Sequence, residues 1–98
     1  MSFYLYILRC SDGSYYTGHT DDPQARLASH NKGDMSKYTS ARRPVELAFI
    51  QEFPSREEAF LAERQVKGWS RLKKEALIKR DWESLRLLSR KRASPGSS

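Results

Sequence analysis

The stretch that decides the fold is residues 3–20, Phe-Tyr-Leu-Tyr-Ile-Leu-Arg-Cys-Ser-Asp-Gly-Ser-Tyr-Tyr-Thr-Gly-His-Thr. Both halves are rich in aromatic and β-branched residues, which favour strands. The Ser-Asp-Gly between them is typical of a three-residue hairpin loop. Because side chains alternate along a strand, this loop length pairs Leu8 with Tyr16 and Tyr6 with Gly18. The stretch therefore predicts a β-hairpin with Tyr6 and Tyr16 on one face, and with space at Gly18 beside the Tyr6 ring.

Start and stop signals divide the rest of the chain into one further strand and four helices. Capping residues mark the helix starts, while Gly or Pro marks the ends of the first helix and of the strand. The predicted segments are a helix from Asp22-Pro23 to Asn31, a loop over 32–44, a strand from Val45 to Phe53, a helix from Ser55 to about Trp69, a helix capped by Ser70 and a short helix capped by Asp81. The order β-β-α-β-α-α-α predicts an α+β domain, with a small three-stranded, mostly antiparallel sheet flanked by helices.

Length and composition predict one globular domain, residues 1–89, followed by a basic and disordered tail over 90–98. Hydrophobic residues make up 38% of the 98 residues and charged residues 31%, which is ordinary for a globular chain. No apolar run approaches the ~20 residues that a membrane span requires, and the N-terminus does not resemble a signal peptide. Cys10 is the only cysteine, so we expect a reducing, cytoplasmic setting.

The charge is concentrated in the last third of the chain. Residues 1–64 carry eight Lys or Arg and nine Asp or Glu, whereas residues 65–98 carry ten and three. The net charges are −1 and +7. A basic segment of this kind indicates a polyanionic partner, although a solvated basic surface is the alternative interpretation.

Arg26 and His30 are four residues apart on the first predicted helix and therefore project from one face. A guanidinium beside an imidazole can hold a phosphate and move a proton. The alternative is an ordinary solvated helix face, since helix surfaces are normally charged. The hairpin tyrosines have a similar alternative, because aromatic residues in strands are usually packing residues.

Glu63 falls on the apolar stripe of the second predicted helix, among Ala59, Phe60 and Val66. Burying a bare carboxylate is costly, so a carboxylate at such a position requires a partner. The sequence leaves two interpretations open, a salt bridge to a nearby Lys or Arg and a metal ligand.

The predicted loop over 32–44 is long for so small a domain, and such loops are often functional. Basic residues interleaved with an aromatic residue suit phosphate contact and base stacking, although a solvated loop is the alternative. The candidate nucleic-acid-binding residues in this loop are Lys37, Tyr38, Arg42 and Arg43. His19 and Lys67, which lie outside the loop, are the other two candidates.

The hairpin resembles the signature of a known family. Leu5-Tyr6-Ile7 and Tyr16-Thr17-Gly18 are similar to the two halves of the GIY-YIG motif, with Leu5 in place of the first Gly and Thr17 in place of the Ile. The loop is similar to a stretch typical of the small, stand-alone branch of this nuclease family. The resemblance covers residues 3–80.

Three further residues carry the resemblance beyond the hairpin. Arg26 lies ten residues past Tyr16, as the family's helix arginine does, and His30 stands where the family has a His or Tyr. Glu63 matches the family's metal-ligating glutamate. The implied catalytic residues are Tyr6, Tyr16, Arg26, His30 and Glu63.

The resemblance implies a metal-dependent endonuclease that hydrolyses DNA phosphodiester bonds, with structure-specific cutting in DNA repair or processing as the implied role. In the implied chemistry Mg²⁺ or Mn²⁺ binds to Glu63, and Arg26 holds a phosphate oxygen. Tyr6 is the candidate base for the attacking water, with Tyr16 or His30 orienting or relaying, and His30 is the rival base. DNA is the expected partner and RNA remains allowed, with no membrane and no small-molecule cofactor.

Two other functions remain open at this point. One is a non-catalytic nucleic-acid-binding module that uses the same basic face. The other is an adaptor that docks a partner protein through the C-terminal helices. Metal-dependent cleavage separates the nuclease from both, and salt-insensitive binding favours the adaptor.

Overall fold

The computed structural model describes residues 2–97, with side chains through residue 89. The chain forms two compact units, Met1–Lys67 and Gly68–Ser98. The first unit contains β1 (Phe3–Arg9), β2 (Tyr15–Thr20), α1 (Pro23–Lys32), α2 (Lys37–Ser40), β3 (Glu46–Phe53) and α3 (Arg56–Lys67). The second contains α4 (Arg71–Ile78) and α5 (Trp82–Ser97).

The three strands form one antiparallel sheet in the order β2-β1-β3. In the hairpin, Tyr6 lies opposite Gly18 and Leu8 opposite Tyr16, and the Cys10 amide donates to the Ser14 carbonyl at 2.8 Å. The predicted α+β class and the predicted hairpin register are therefore confirmed.

Both faces of the central strand are buried. Tyr6, Leu8 and Cys10 pack in one cluster with Val45, and the partly buried Tyr16, Leu27 and Leu47 join it. Leu5 and Ile7, which alternate with them along β1, are also buried. Helix α3 packs along β2 and β1. Tyr6 is thus a core residue by position, whatever chemistry its hydroxyl performs.

The predicted helix starts are confirmed by their capping contacts. Asp22 accepts a hydrogen bond from the Ala25 amide at 3.1 Å, and α1 ends at Gly33 in the left-handed conformation. At the start of α3, the Ser55 hydroxyl oxygen accepts from the Glu58 amide at 3.2 Å, and the hydroxyl donates to the Glu58 carboxylate at 3.1 Å, so Ser55 caps the helix as predicted.

The observed secondary structure differs from the prediction in three segments. The segment predicted as loop 32–44 contains the short helix α2, which Ser36 caps by accepting the Thr39 amide at 3.1 Å. A helix of four residues is too short to show apolar periodicity. Helix α3 ends at Lys67 rather than Trp69, and α5 is 16 residues long rather than short. The predicted tail, 90–98, lies outside the residues whose side chains are described.

The second unit consists of α4 and α5 packed on each other. The predicted caps are present, since Ser70 accepts the Lys73 amide and Asp81 accepts the Ser84 amide, both at 3.2 Å. Across the described residues, no helix combines the length and the apolar character that crossing a membrane requires.

Candidate active site

A buried chain of hydrogen bonds links the first motif tyrosine to α1 and α2. The Tyr6 hydroxyl lies 3.1 Å from His30 Nε2, and His30 Nδ1 lies 2.8 Å from Thr39 Oγ1. His30 and Thr39 are fully buried and Tyr6 is nearly so. The interpretation of His30 as part of a solvated helix face is therefore wrong, because the side chain points into the sheet rather than into water.

The protonation of this chain follows from its burial. Burial raises the pKa of Tyr6, with the neighbouring Tyr16 adding to the effect and Arg26 opposing it. Burial also lowers the pKa of His30, and Arg26 lowers it further. A neutral phenol and a neutral imidazole leave one arrangement in which every proton finds an acceptor. Tyr6 donates to His30 Nε2, and His30 Nδ1–H donates to Thr39.

Arg26 supplies a positive charge that acts on both members of this pair. It is partly buried on α1, and its charge acts on the pKa of both Tyr6 and His30. Within the described part of the chain, no hydrogen bond or ion pair engages its guanidinium. The five donors of that group are therefore available to an anion from outside.

Glu63 on α3 has both of its carboxylate oxygens engaged. His19 Nδ1 lies 2.5 Å from Oε1, and Lys67 Nζ lies 2.7 Å from Oε2. The structure thus contains a salt bridge at Glu63, which was one of the two interpretations that the sequence left open. The metal interpretation is compatible with it, because a carboxylate held as an anion is also what a divalent cation needs.

Electrostatics keep Glu63 ionised despite its burial. Burial by itself raises the pKa of the carboxyl, but the hydrogen bonds from His19 and Lys67 outweigh it, so the pKa is lowered. The hydrogen bond to Glu63 raises the pKa of Lys67 in return. The site therefore presents an anion beside the neutral Tyr6–His30 pair.

Tyr16 connects these two parts of the site. Its ring meets the His30 ring edge-on at 5.0 Å between centroids, and Lys67 Nζ lies 6.0 Å from the Tyr16 centroid. The ring of Tyr38 follows at 6.2 Å. All five residues predicted as catalytic lie in the first unit, and these contacts bring together Tyr6, Tyr16, His30 and Glu63 with its partner Lys67.

The predicted nucleic-acid-binding arginines have structural contacts of their own. The Arg42 guanidinium stacks 3.9 Å over the Tyr38 ring and forms an ion pair with Asp12 at 2.9 Å. Arg43 donates to the carbonyls of Ser40 and Asn31. Lys37 is exposed at the start of α2, whereas His19 faces Glu63. A phosphate that approaches the arginines or His19 would meet side chains that are already engaged.

The contacts that Thr39 and Lys67 make in the site were not predicted from the sequence. Thr39 was considered only as part of a loop, although the Ser36-x-x-Thr39 spacing signals a helix cap that would orient it. Lys67 was assigned to nucleic acid alone, although its position four residues after Glu63 is the spacing of an intrahelical ion pair.

Gly18 is required by the close approach of Tyr6. A Cβ atom at this position would lie 2.5 Å from the Tyr6 hydroxyl oxygen and 2.6 Å from Cζ. That ring end is buried and hydrogen-bonded to His30, so it has no room to move. We expect Gly18→Ala to lower the free energy of unfolding by about 1–3 kcal/mol, as overpacking does, and to break the Tyr6–His30 contact. Thermal unfolding and the His30 ring NMR shifts measure both effects.

Thr17→Val is the matched control for Gly18→Ala. Thr17 is the neighbouring residue on the opposite face of β2, and its buried hydroxyl has no hydrogen-bond partner among the described residues. Its replacement should leave stability unchanged or higher. A Gly18→Ala protein as stable as Thr17→Val, with unshifted His30 signals, would show that the Tyr6 ring is not confined.

Comparison with known proteins identifies the family of this chain. Residues 2–76 match the model of the family described as the GIY-YIG catalytic domain. The match covers more than half of the chain and includes the whole site, so the chain belongs to the GIY-YIG family.

Within that family the chain is similar to small proteins that carry the name UPF0213. It is 50% identical over 75 residues to one from Halobacterium salinarum, which covers 76% of this chain and 97% of the relative. The solution structure of a UPF0213 protein from Bacillus halodurans is 48% identical, with a TM-score of 0.53 over 81% of this chain and 84% of that one. A solution structure from E. faecalis is 41% identical, with a TM-score of 0.56 and the same coverage of both chains.

The donor set at Glu63 fits a hydrated divalent ion. Among the described residues there is no group of three or more His, Cys, Asp or Glu side chains that could hold a metal. Mg²⁺ usually keeps several waters and binds through one or two carboxylates, so a single ionised glutamate is a sufficient anchor. A divalent ion at Oε2 would repel Lys67 Nζ, and the half-exposed lysine side chain can move away into solvent.

Proposed function

We propose that this protein is a metal-dependent endonuclease that hydrolyses phosphodiester bonds in DNA. The observation that carries the proposal is a neutral Tyr6–His30 pair together with an ionised Glu63 and the Arg26 guanidinium, which has no hydrogen bond or ion pair among the described residues. Structure-specific cutting in DNA repair or processing, in the cytoplasm, is the proposed biological role.

The metal ion would be held by Glu63. When bound, Mg²⁺ or Mn²⁺ supplies charge neutralisation at the phosphate and stabilises the leaving oxygen. The single carboxylate leaves most of the coordination sphere to water and to phosphate oxygens.

Arg26 would bind a non-bridging oxygen of the scissile phosphate. Its guanidinium can form two parallel hydrogen bonds to a phosphate, and its charge already acts on the pKa of both Tyr6 and His30. Charge that develops on the phosphate during attack would then be stabilised by a group that needs no reorganisation.

The proton of the attacking water would pass through Tyr6 to His30. As water oxygen bonds to phosphorus and the bond to the leaving oxygen breaks, Tyr6 takes the water proton and releases its own proton to His30 Nε2. A free tyrosinate is not required, which matters because burial raises the pKa of Tyr6. Direct removal of the water proton by His30 is less well supported, since the His30 ring is fully buried and both of its nitrogens are hydrogen-bonded within the protein.

Bound phosphate would also make His30 a better proton acceptor. Burial and the charge of Arg26 lower the pKa of His30 in the free protein. An anion on Arg26 cancels part of that charge and so favours the imidazolium. Thr39, which accepts from Nδ1–H, would hold the ring in the tautomer that receives the Tyr6 proton.

A panel of labelled DNA molecules tests the proposal. Purified protein is incubated with single-stranded, duplex, flap and branched DNA in Mg²⁺, Mn²⁺ or EDTA. Products that accumulate only with a divalent ion support the nuclease. Binding without products in every condition would support the non-catalytic binding module instead.

DNA binding should depend steeply on salt. The +7 balance of residues 65–98 indicates that phosphate contacts dominate affinity. The logarithm of the binding constant should fall linearly with the logarithm of salt, with a slope of about −0.9 per phosphate contacted and little sequence preference. Fluorescence anisotropy at several salt concentrations measures the slope. An affinity that stays constant from low to moderate salt would contradict the phosphate-dominated interface and favour the adaptor.

A further inference from the structure

We propose that Lys67 is a resident counter-cation of the metal-binding carboxylate, which competes with the divalent ion for Glu63 until DNA phosphate draws its ammonium away. The inference rests on the proposed function, because it concerns the ion that Glu63 would hold. It assigns to Lys67 a positioning role that couples metal binding to DNA binding.

Both carboxylate oxygens of Glu63 already contact a basic side chain. Lys67 Nζ is 2.7 Å from Oε2, and His19 Nδ1 is 2.5 Å from Oε1. The Glu63 side chain is only 11% exposed, so water cannot replace these partners freely. A divalent ion that binds Oε2 would lie next to the Lys67 ammonium, and repulsion between the two cations favours departure of the ammonium.

Lys67 is the partner that can leave. Its side chain is 50% exposed, and its ammonium lies at the end of a flexible four-carbon stem. The ammonium can therefore move into solvent while the helix stays in place. His19 is 23% exposed, sits on β2 and packs edge-on against Phe60 with 5.5 Å between the ring centroids. Strand and ring contacts hold His19 where it is.

Displacement of the Lys67 ammonium from Glu63 would link metal binding to DNA binding. An ammonium and a divalent ion repel each other at one carboxylate oxygen, so the resident Lys67 weakens metal binding in the free protein. When DNA is present, a phosphate offers the displaced ammonium an anionic partner. Metal and DNA should then bind with positive coupling, and the coupling must be reciprocal.

The experiment measures Mn²⁺ affinity directly, by the electron paramagnetic resonance signal of free Mn²⁺ at constant pH and ionic strength. Without DNA, Lys67→Met should bind Mn²⁺ about tenfold more tightly than wild type, a typical size for coupling between two sites. Lys67→Arg, which keeps the charge, should stay near wild type. A duplex with a phosphorothioate backbone, which keeps its charge and resists hydrolysis, should raise the Mn²⁺ affinity of wild type more than that of Lys67→Met.

Arg64→Met is the matched control. It removes one positive charge from the same helix, but its guanidinium lies 5.8 Å over the Phe60 ring rather than on Glu63. Its Mn²⁺ affinity should therefore change by less than about twofold, since screening weakens charges that are not in contact. Thermal unfolding checks that each variant is folded, and Lys67→Gln replaces Lys67→Met if the latter is not.

The outcomes separate the inference from the proposed function. If wild type binds Mn²⁺ more tightly than Glu63→Gln, but Lys67→Met binds it no more tightly than Arg64→Met, the inference is wrong and the nuclease proposal stands. If neither wild type nor Lys67→Met binds Mn²⁺ better than Glu63→Gln, with or without DNA, the metal site itself is wrong and both proposals fall.

Discussion

Replacement of Glu63 by Gln is expected to abolish DNA cleavage while DNA binding persists or becomes tighter. The amide keeps the shape of the carboxylate but removes the charge that a divalent ion requires. Loss of a negative charge near the phosphate also reduces repulsion of DNA. Product formation and anisotropy with the same labelled DNA measure the two effects separately.

Stability does not by itself decide the role of Glu63. Its carboxylate pairs with His19 and Lys67 in the metal-free protein, so Glu63→Gln should lower the free energy of unfolding by about 1–3 kcal/mol, the worth of hydrogen bonds to charged groups. The same loss follows whether or not the residue also holds a metal. Glu57→Gln, an exposed change on the same helix, is the control. A Glu63→Gln protein that still cuts DNA at the Glu57→Gln rate would exclude the metal-site interpretation.

Arg26→Ala is expected to lower the cleavage rate by about 100-fold or more, by analogy with the removal of one oxyanion donor. Arg26→Lys should restore only part of the activity, because an ammonium lacks the planar fork that matches a phosphate. The fold should be nearly unchanged, since no hydrogen bond or ion pair to the described residues is lost. Single-turnover rates with saturating DNA isolate the chemical step.

Lys32→Ala is the control for Arg26→Ala. It removes an exposed basic residue from the last turn of the same helix, two positions after the buried His30 and therefore on a different face. Its cleavage rate should fall by no more than the general effect of one positive charge on DNA affinity. If Arg26→Ala and Lys32→Ala cut equally fast under saturating DNA, Arg26 does not bind the developing charge.

The hairpin could be predicted closely from the sequence because its information is local. A three-residue loop sets the register, and the register places Tyr6 opposite Gly18. Helix caps are local too, which is why Asp22, Ser55, Ser70 and Asp81 were all identified as helix starts. The family resemblance followed from the two hairpin tripeptides and from the spacing of Arg26, His30 and Glu63 after them.

The partners of the site residues were harder to predict, because they come from distant parts of the chain. His30 was compared with a solvated surface, whereas it is buried between Tyr6 and Thr39. Nothing in a helix pattern fixes which strand residue will face a given imidazole. Glu63 was similarly left with two interpretations, since its contact with His19 depends on how α3 packs along β2.

The most direct test of the account is cleavage that depends on both a metal ion and Glu63. Wild type and Glu63→Gln, purified identically, are incubated with the best DNA of the panel in EDTA, and excess Mg²⁺ or Mn²⁺ is then added. We expect no products in EDTA, products from wild type once the ion is present, and none from Glu63→Gln at any time. Equal cleavage by the two proteins, or cleavage by wild type that continues in EDTA, would contradict it.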